Sequence, residues 1–288
     1  MAIWNPSHDV GHRMTLTTVA PRRTDGNRPR DSAWFVPPAM LLVGLLGVPV
    51  AGLIWVATTG ELATYLSDPQ VHSAVRLSLV TSAIAVALIV ATGLPLAYLL
   101  ARWHFPGRRL VTLLIDLPIV LPPMVAGIAL LEVFGRNGWL GAPLAALGIN
   151  LPFTTTAVVL SQVFVAGPFF VRAARVGFQE VDPAIQEAAR VDKASELQVF
   201  WHIMVPVARR AILSGLVLAW ARALGEFGAT LFFAGNREGV TQTMPLAIFI
   251  GFESNLALAV GLSFVLLVIS IVVLLVVGLL GGDRTQDR

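Results

Sequence analysis

The sequence predicts an all-α, polytopic integral membrane protein. Of its 288 residues, 56% are apolar and only 13% are charged, and the mean hydropathy is +0.77. A soluble domain needs more polar surface than this composition provides. The apolar residues cluster in stretches of roughly 20 residues or more, the length that an α-helix needs to cross a bilayer. About six transmembrane helices are predicted: 34–59, 73–101, 111–134, 155–176, 205–233 and 257–281.

Most of these stretches have features of their own. The first and last, 34–59 and 257–281, contain no charged residue. Pro122 and Pro123 interrupt the third stretch and Pro168 interrupts the fourth. A transmembrane helix tolerates such prolines where neighbouring helices cover the freed carbonyl groups. The prolines are therefore compatible with six spans, and they predict kinks in two of them.

The distribution of basic residues predicts the orientation. Positive charges remain on the cytoplasmic side of a membrane. The opposite loops hold only Arg136 and Arg237, which predicts that both termini and the long fourth loop are cytoplasmic. Sixteen of the 20 basic residues lie on the predicted inner side: Arg13, Arg22, Arg23, Arg28, Arg30, Arg102, Arg108, Arg109, Arg172, Arg175, Arg190, Lys193, Arg209, Arg210, Arg284 and Arg288.

Several other classes of protein are disfavoured by composition. Residues 1–33 lack an apolar core and are predicted to be a disordered cytoplasmic tail, not a signal peptide. The chain has no cysteine, which excludes disulfides and thiolate metal sites. Its pI of about 10.1 reflects membrane topology, so no nucleic-acid partner is expected. We expect no metal and no cofactor.

The long fourth loop, 177–206, is predicted to form two short helices. Asp182 followed by Pro183 is typical of a helix start, with the aspartate as N-cap and the proline in the first turn. A second helix is predicted to start at Ser195, where Gln198 completes a capping box. Periodicity in this second helix predicts that four apolar side chains face the membrane: Leu197, Phe200, Trp201 and Met204.

The spacing of small and apolar residues in this loop is similar to a known signature. On composition alone, the loop could equally be an amphipathic connector on lipid headgroups. Its register resembles the signature of bacterial ABC importer permeases: Glu-Ala-Ala, three residues, Gly, nine residues, Ile, one residue and Leu-Pro. Lys193 replaces the Gly, which usually permits a left-handed turn, and Val205 replaces the Leu. The matching residues are Glu187, Ala188, Ala189, Ile203 and Pro206.

The resemblance implies a type I ABC importer permease whose loop 177–206 carries a coupling helix. Such a helix inserts into a groove of a separate ATP-binding subunit, and the two small alanines would allow close approach. The sequence agrees with the need for that partner. Its only lysine, Lys193, is not part of a Gly-Lys-Ser/Thr phosphate-binding loop, so the chain itself is not expected to be a P-loop ATPase or another enzyme.

The fifth stretch carries two charges within the predicted membrane. Arg222 and Glu226 are four residues apart, which on a continuous helix places them on one face. Ionised groups at this depth need a partner or water. They are interpreted either as a structural ion pair or as part of an anion pathway. Gly225 and Gly228, on either side of Glu226 and Phe227, would suit a gate because glycine permits close packing or a local break.

Further motifs narrow the resemblance to one branch of these permeases. The segments 117–131, 225–230, 234–236 and 242–248 are similar to the molybdate branch, and the resemblance covers about residues 70–280. We therefore expect a permease domain at 70–281, after a first helix at 34–59, that transports molybdate. The alternatives are sulfate, whose permeases share the Ala-Arg-Ala-x-Gly-Glu motif, and tungstate.

The partners implied by the resemblance are an ATP-binding subunit, a second permease copy, most simply as a homodimer, and an external oxyanion-binding protein. The location implied is the bacterial plasma membrane. A secondary anion transporter or channel is a competing interpretation, but such transporters often contain internal repeats, and none is visible between the halves of this chain. A membrane-embedded enzyme is a third class, for which the sequence provides no cluster of catalytic side chains.

Overall fold

The computed structural model describes residues 34–59 and 67–281, and every regular element within these ranges is a helix. The predicted all-α class is therefore confirmed. The predicted disordered tail, 1–33, lies outside the described residues, as does the C-terminal segment 282–288 with its two arginines.

The helices are numbered in chain order. The first six are α1 (Val36–Thr59), α2 (Pro69–Arg102), α3 (Arg108–Val120), α4 (Pro123–Phe134), α5 (Gly141–Ala146) and α6 (Thr155–Gln179). The long loop contains α7 (Pro183–Val191), α8 (Glu196–Val199), a π-helical turn (Phe200–Met204) and α9 (Val205–Val207). The last four are α10 (Arg209–Leu224), α11 (Gly228–Ala234), α12 (Met244–Ser254) and α13 (Leu256–Gly281).

The two long central helices begin at side-chain caps. The Asp68 carboxylate accepts a hydrogen bond from the Gln70 N–H at 2.8 Å, and Pro69 occupies the first turn of α2. The Thr154 hydroxyl accepts one from the Ala157 N–H at 3.3 Å at the start of α6. α2 has 34 residues, a length of about 50 Å at 1.5 Å per residue, so it extends beyond the hydrocarbon layer.

Prolines and glycines divide two of the predicted spans. The stretch 111–134 forms α3 and α4, which are separated at Leu121 and Pro122. The stretch 205–233 forms α9, α10 and α11, with breaks at Ala208 and at residues 225–227. Within the described residues, four helices are long and apolar enough to cross a membrane, or five if the pair 196–207 and 209–224, bent by 77°, counts as one span. The six predicted spans are thus not six continuous helices.

Helix α6 is the centre of the bundle. It contacts α2, α3, α4, α10 and α11, and it buries Phe170 and Phe178 completely. A second buried cluster joins α2, α12 and α13 around Met244 and Leu262. A boundary between two compact units falls at Val50, within the uncharged helix α1. The core around α6 positions both regions considered below.

Candidate functional site: a docking loop and a charged break

The loop 177–206, here called the docking loop, contains the two predicted helices. The Asp182 carboxylate accepts a hydrogen bond from the Ala184 N–H at 2.9 Å, and α7 starts at Pro183. Ser195 and Gln198 form a reciprocal capping box, with N–H to side-chain oxygen distances of 2.8 and 3.3 Å. Both predicted helix starts are confirmed.

The turn after α7 keeps a left-handed geometry although it lacks glycine. Lys193 has φ +61°. The Ala194 N–H donates to the Ala189 carbonyl at 3.0 Å, which is the six-to-one bond of a Schellman motif. A left-handed conformation costs a residue with a Cβ atom about 1 to 2 kcal/mol. Lys193 therefore makes the turn that Gly makes in the signature, at some expense in backbone energy.

An aromatic and polar cluster fixes the docking loop to the bundle. The Tyr98 ring of α2 lies 5.6 Å from the Phe178 ring and 5.1 Å from the Phe200 ring, both in edge-on geometry. The Tyr98 hydroxyl accepts a hydrogen bond from Gln186 Nε2 at 3.1 Å and donates to Glu196 Oε2 at 3.4 Å. One phenol thus links α2 to both short helices of the loop. Sequence reasoning missed Tyr98 because its partners lie about 90 to 100 residues away.

The signature residues of α7 do not share one environment. Glu187 and Ala188 are exposed, whereas Ala189 is only 9% exposed and packs in the core beside the aromatic cluster. Ile203 also packs against this core, and Pro206 is exposed. The exposed part of the signature is therefore an acidic side chain next to a small one, and the buried part holds the helix against the bundle.

The second loop helix differs from its prediction. Phe200 and Met204 are buried within the protein, but Leu197 is 68% exposed and Trp201 is 52% exposed. The prediction that all four side chains face the membrane was therefore wrong for Phe200 and Met204, which pack in the protein core. Leu197 and Trp201 are four residues apart, as are Phe200 and Met204, so one edge of the predicted face packs in the core and the other edge is exposed. The chain also forms a π-helical turn at Phe200–Met204.

The segment 222–228, here called the charged break, joins α10 to α11. Arg222 Nη1 lies 2.8 Å from Glu226 Oε2. The side chain of Glu226 is fully buried, whereas that of Arg222 is 27% exposed. The helix ends at Leu224, so the pair spans a break and does not lie on a continuous helix face as predicted. Glu226 Oε1 also accepts a hydrogen bond from the Ala229 N–H at 2.8 Å, which caps the start of α11.

The two glycines of the charged break have different surroundings. A Cβ atom on Gly228 would lie 2.9 Å from Pro123 Cβ, closer than real contacts allow, and 3.0 Å from the Met124 nitrogen. A Cβ atom on Gly225 would meet nothing closer than the Ala221 carbonyl oxygen at 3.5 Å. Gly228 is therefore required for close packing of α11 on α4, whereas Gly225 only occupies the end of α10.

One buried residue beside the break was not predicted. Gln162 of α6 is 1% exposed, and its Nε2 donates to the Ala223 carbonyl at 3.2 Å. The same carbonyl also accepts from the Glu226 N–H at 3.2 Å, so Gln162 adds a second donor to it where α10 ends. Gln162 was missed because the glutamine stands alone in an apolar stretch. A polar residue within a predicted span is the signal that could have found it.

The motif 242–248 forms part of a second buried polar region. The Met244 N–H at the start of α12 donates to Ser78 Oγ of α2 at 2.7 Å. Gln70 Nε2 donates to Gln242 Oε1 at 3.0 Å. These bonds fix α12 to α2. Among the described residues, no group of three or more His, Asp or Glu side chains is arranged to hold a metal ion.

Comparison with known proteins identifies the class. Residues 93–283 match the family described as binding-protein-dependent transport system inner membrane component. The chain belongs to this family and is therefore a multi-pass membrane component of a transport system. A crystal structure of a bacterial ABC transporter that imports the acidic polysaccharide alginate covers 88% of this chain and 95% of its own, with a TM-score of 0.71 and 17% identity. The predicted ABC importer permease fold is confirmed.

Relatives of known name are more similar in sequence. The molybdenum transport system permease protein ModB of Mycobacterium bovis is 38% identical over 255 residues, which cover 88% of this chain and 97% of the relative. The probable transport system permease protein NifC of Clostridium pasteurianum is 37% identical over 82% of each chain. The sulfate transport system permease protein CysW of Synechococcus elongatus is 37% identical over 73% of this chain and 75% of its own.

Proposed function

We propose that this chain is the permease subunit of an ATP-driven ABC importer and forms the pathway for molybdate across the bacterial plasma membrane. The observation that carries this proposal is the docking loop, which presents Glu187 and Ala188 outward on helices that are fixed to the bundle by Tyr98. A permease that must receive a movement from another subunit needs such a surface on a rigid support.

The proposed receiver of this surface is a separate ATP-binding subunit. The single lysine of the chain lies at the left-handed turn and not in a phosphate-binding loop, which supports ATP hydrolysis by another polypeptide. In this proposal, Glu187 and Ala188 contact the partner groove. Ala189, Ile203 and Pro206 position the helices that present them.

The preference for molybdate rests on the relatives. The relative named for molybdenum transport is 38% identical to this chain, and the relative named for sulfate transport is 37% identical. The former also extends over more of this chain, which favours molybdate. Sulfate and tungstate are the second candidates because all three are tetrahedral dianions. We propose that an external oxyanion-binding protein selects among them.

The pathway is proposed to run beside the charged break. Arg222 and Glu226 act there as a structural pair that holds the α10–α11 junction, and residues 225–228 form the gate. A second copy of the chain would complete the pathway. The apolar, exposed side chains of Met124, Val125 and Ile128 on the adjoining helix α4 support such a contact.

The proposed orientation places both termini and the docking loop in the cytoplasm. A reporter fused after Arg288 and another inserted near Arg109 should report the cytoplasm, whereas one near Gly138 should report the outside. A cytoplasmic signal near Gly138 would contradict the orientation and the number of spans.

Uptake measurements test the function directly. The chain is expressed with its ATP-binding and oxyanion-binding partners in cells that lack molybdate uptake, and labelled molybdate, tungstate and sulfate are compared. We expect ATP-dependent molybdate uptake. Glu187→Lys should abolish it without loss of membrane insertion, while the matched control Glu180→Lys, in the same loop but outside the signature, should not. Efficient sulfate uptake without molybdate uptake would overturn the substrate assignment.

A further inference from the structure

A basic cavity lies between the loop that follows α2 and the end of α6. Its volume is about 840 Å³. Three guanidinium groups and one imidazole contribute to its wall, and none of the lining residues is acidic. Like charges gathered in one cavity repel one another, so the arrangement favours an anion between them. The residues that matter here are His104, Arg108, Arg109, Thr112, Leu113 and Arg175.

Two of these arginines have no partner among the described residues. Arg109 and Arg175 form no ion pair or hydrogen bond there, although Arg175 is half-buried. Arg108 is engaged, because its Nη2 donates to the Leu100 carbonyl at 2.6 Å and so fixes the cavity wall. The carboxylate of Asp116, further along α3, is already paired with Arg172 at 3.1 Å.

Apolar surface continues from the cavity along α3. Leu110, Leu113, Leu114 and Leu117 are exposed on that helix, and α3 buries none of its own residues. Trp103, exposed just before the cavity, is of the type that lies at the level of lipid headgroups. A small inorganic anion would use only the basic cavity. A phospholipid would use both the cavity and the leucines.

We propose that this cavity binds the phosphate headgroup of an anionic phospholipid from the cytoplasmic leaflet, with an acyl chain along the exposed leucines of α3. Basic pockets between transmembrane helices on this side of a membrane suit such headgroups. Arg109 and Arg175 contact the phosphate, and Arg108 holds the loop that carries them. The choice of leaflet rests on the proposed orientation, whereas the site itself does not depend on the transported substrate.

Lipid binding to the purified full-length chain tests this inference. Native mass spectrometry in a mild detergent compares phosphatidylglycerol with phosphatidylcholine. We expect phosphatidylglycerol to bind about tenfold more tightly or better. Each arginine near a membrane surface contributes a factor of roughly five, so Arg109→Gln with Arg175→Gln should reduce phosphatidylglycerol binding by about 25-fold.

A matched control removes two arginines from the opposite side of the protein. Arg136→Gln with Arg237→Gln changes the net charge equally and should leave the lipid preference intact. Should the cavity double variant not fold, Arg109→Gln alone affects an exposed side chain and should still weaken binding about fivefold.

Three results would overturn the inference. One is equal binding of the two lipids, and another is a preference that survives in the cavity variants or is lost equally in the control. The third is displacement of phosphatidylglycerol by millimolar molybdate or inorganic phosphate, which would assign the cavity to a free oxyanion. None of these measurements uses transport, so failure here would leave the proposed function untouched.

Discussion

The docking loop and the charged break both interrupt the helical bundle, but different forces hold them. Aromatic side chains pack beneath the docking loop. The Tyr98 hydroxyl adds one hydrogen bond with the neutral Gln186 side chain and one with the Glu196 carboxylate. The charged break depends on a buried carboxylate with one ion-pair partner and one backbone donor. Packing over a wide area tolerates the loss of one contact, whereas a buried charge does not. Substitutions should therefore damage the break more than the loop.

The largest effect is expected when the cation of the charged break is removed. Arg222→Met leaves the fully buried carboxylate of Glu226 without its partner, a change that costs about 3 to 5 kcal/mol. Glu226→Gln should be milder, because Arg222 is partly exposed and the glutamine oxygen can still accept from the Ala229 N–H. Monodisperse yield in detergent and the thermal unfolding midpoint measure both.

The double variant separates a structural pair from an anion-binding arginine. Arg222→Met combined with Glu226→Gln removes both charges and should recover part of the lost yield. If all three variants instead fold normally, and transport is lost whenever Arg222 is absent, then Arg222 contacts the passing anion and the pair is not primarily structural.

The second effect, in order of size, comes from helix packing at the same break. Gly228→Ala forces a Cβ atom against Pro123 and Met124 of α4, and such overpacking costs about 1 to 3 kcal/mol. Gly225→Ala is the matched control, because its Cβ atom would make only an ordinary contact, 3.5 Å from the Ala221 carbonyl oxygen, and its φ is −84°. We expect a lower unfolding midpoint for Gly228→Ala only. Equal loss in both variants would show that backbone freedom, and not close packing, is required at the break.

The two regions also differ in how far the sequence predicts them. Helix starts of the docking loop depend on local hydrogen bonds, so Asp182, Ser195 and Gln198 could be read correctly from spacing alone. The Arg222–Glu226 ion pair was one of two interpretations of the local spacing, although the helix that this spacing assumed ends at Leu224. The end of α10 at Leu224, the π-helical turn and the burial of Ala189 depend on tertiary packing, which a local pattern does not contain.

Long-range contacts explain the residues that were missed. Tyr98 and Gln162 meet partners 98, 88 and 61 residues away. Their positions within apolar stretches give no local reason to pair them with those partners. The prediction of six continuous spans has a separate limit. Composition identifies an apolar stretch, but it does not decide whether a proline or glycine divides that stretch into two helices.

A smaller effect is expected for the phenol beneath the docking loop. Tyr98→Phe keeps the ring packing but removes the hydroxyl that contacts Gln186 and Glu196. A hydrogen bond of this kind contributes about 1 kcal/mol, so folding should survive. If the loop transmits movement through Tyr98, ATP hydrolysed per transported anion in proteoliposomes should rise by about two- to fivefold.

The matching variant at the other end of this bond is Gln186→Leu. Because Tyr98→Phe and Gln186→Leu break the same contact, their double variant should be little worse than either alone. Fully additive effects would mean that the two side chains act separately, and unchanged coupling in all three variants would exclude the phenol from transmission.

The smallest effect should come from the turn within the docking loop, and it should be favourable. Lys193 holds φ +61°, which costs a residue with a Cβ atom about 1 to 2 kcal/mol, whereas glycine adopts it freely. Glycine also loses more entropy on folding, by about 0.4 to 1 kcal/mol, so the net gain for Lys193→Gly should lie between about 0 and 1.6 kcal/mol. Hydrogen exchange of the α7 and α8 amides should slow slightly.

Lys193→Ala removes the charge but keeps the Cβ atom, and we expect no such gain from it. If both variants slow exchange equally, the lysine charge, and not its backbone conformation, is the unfavourable feature of the turn.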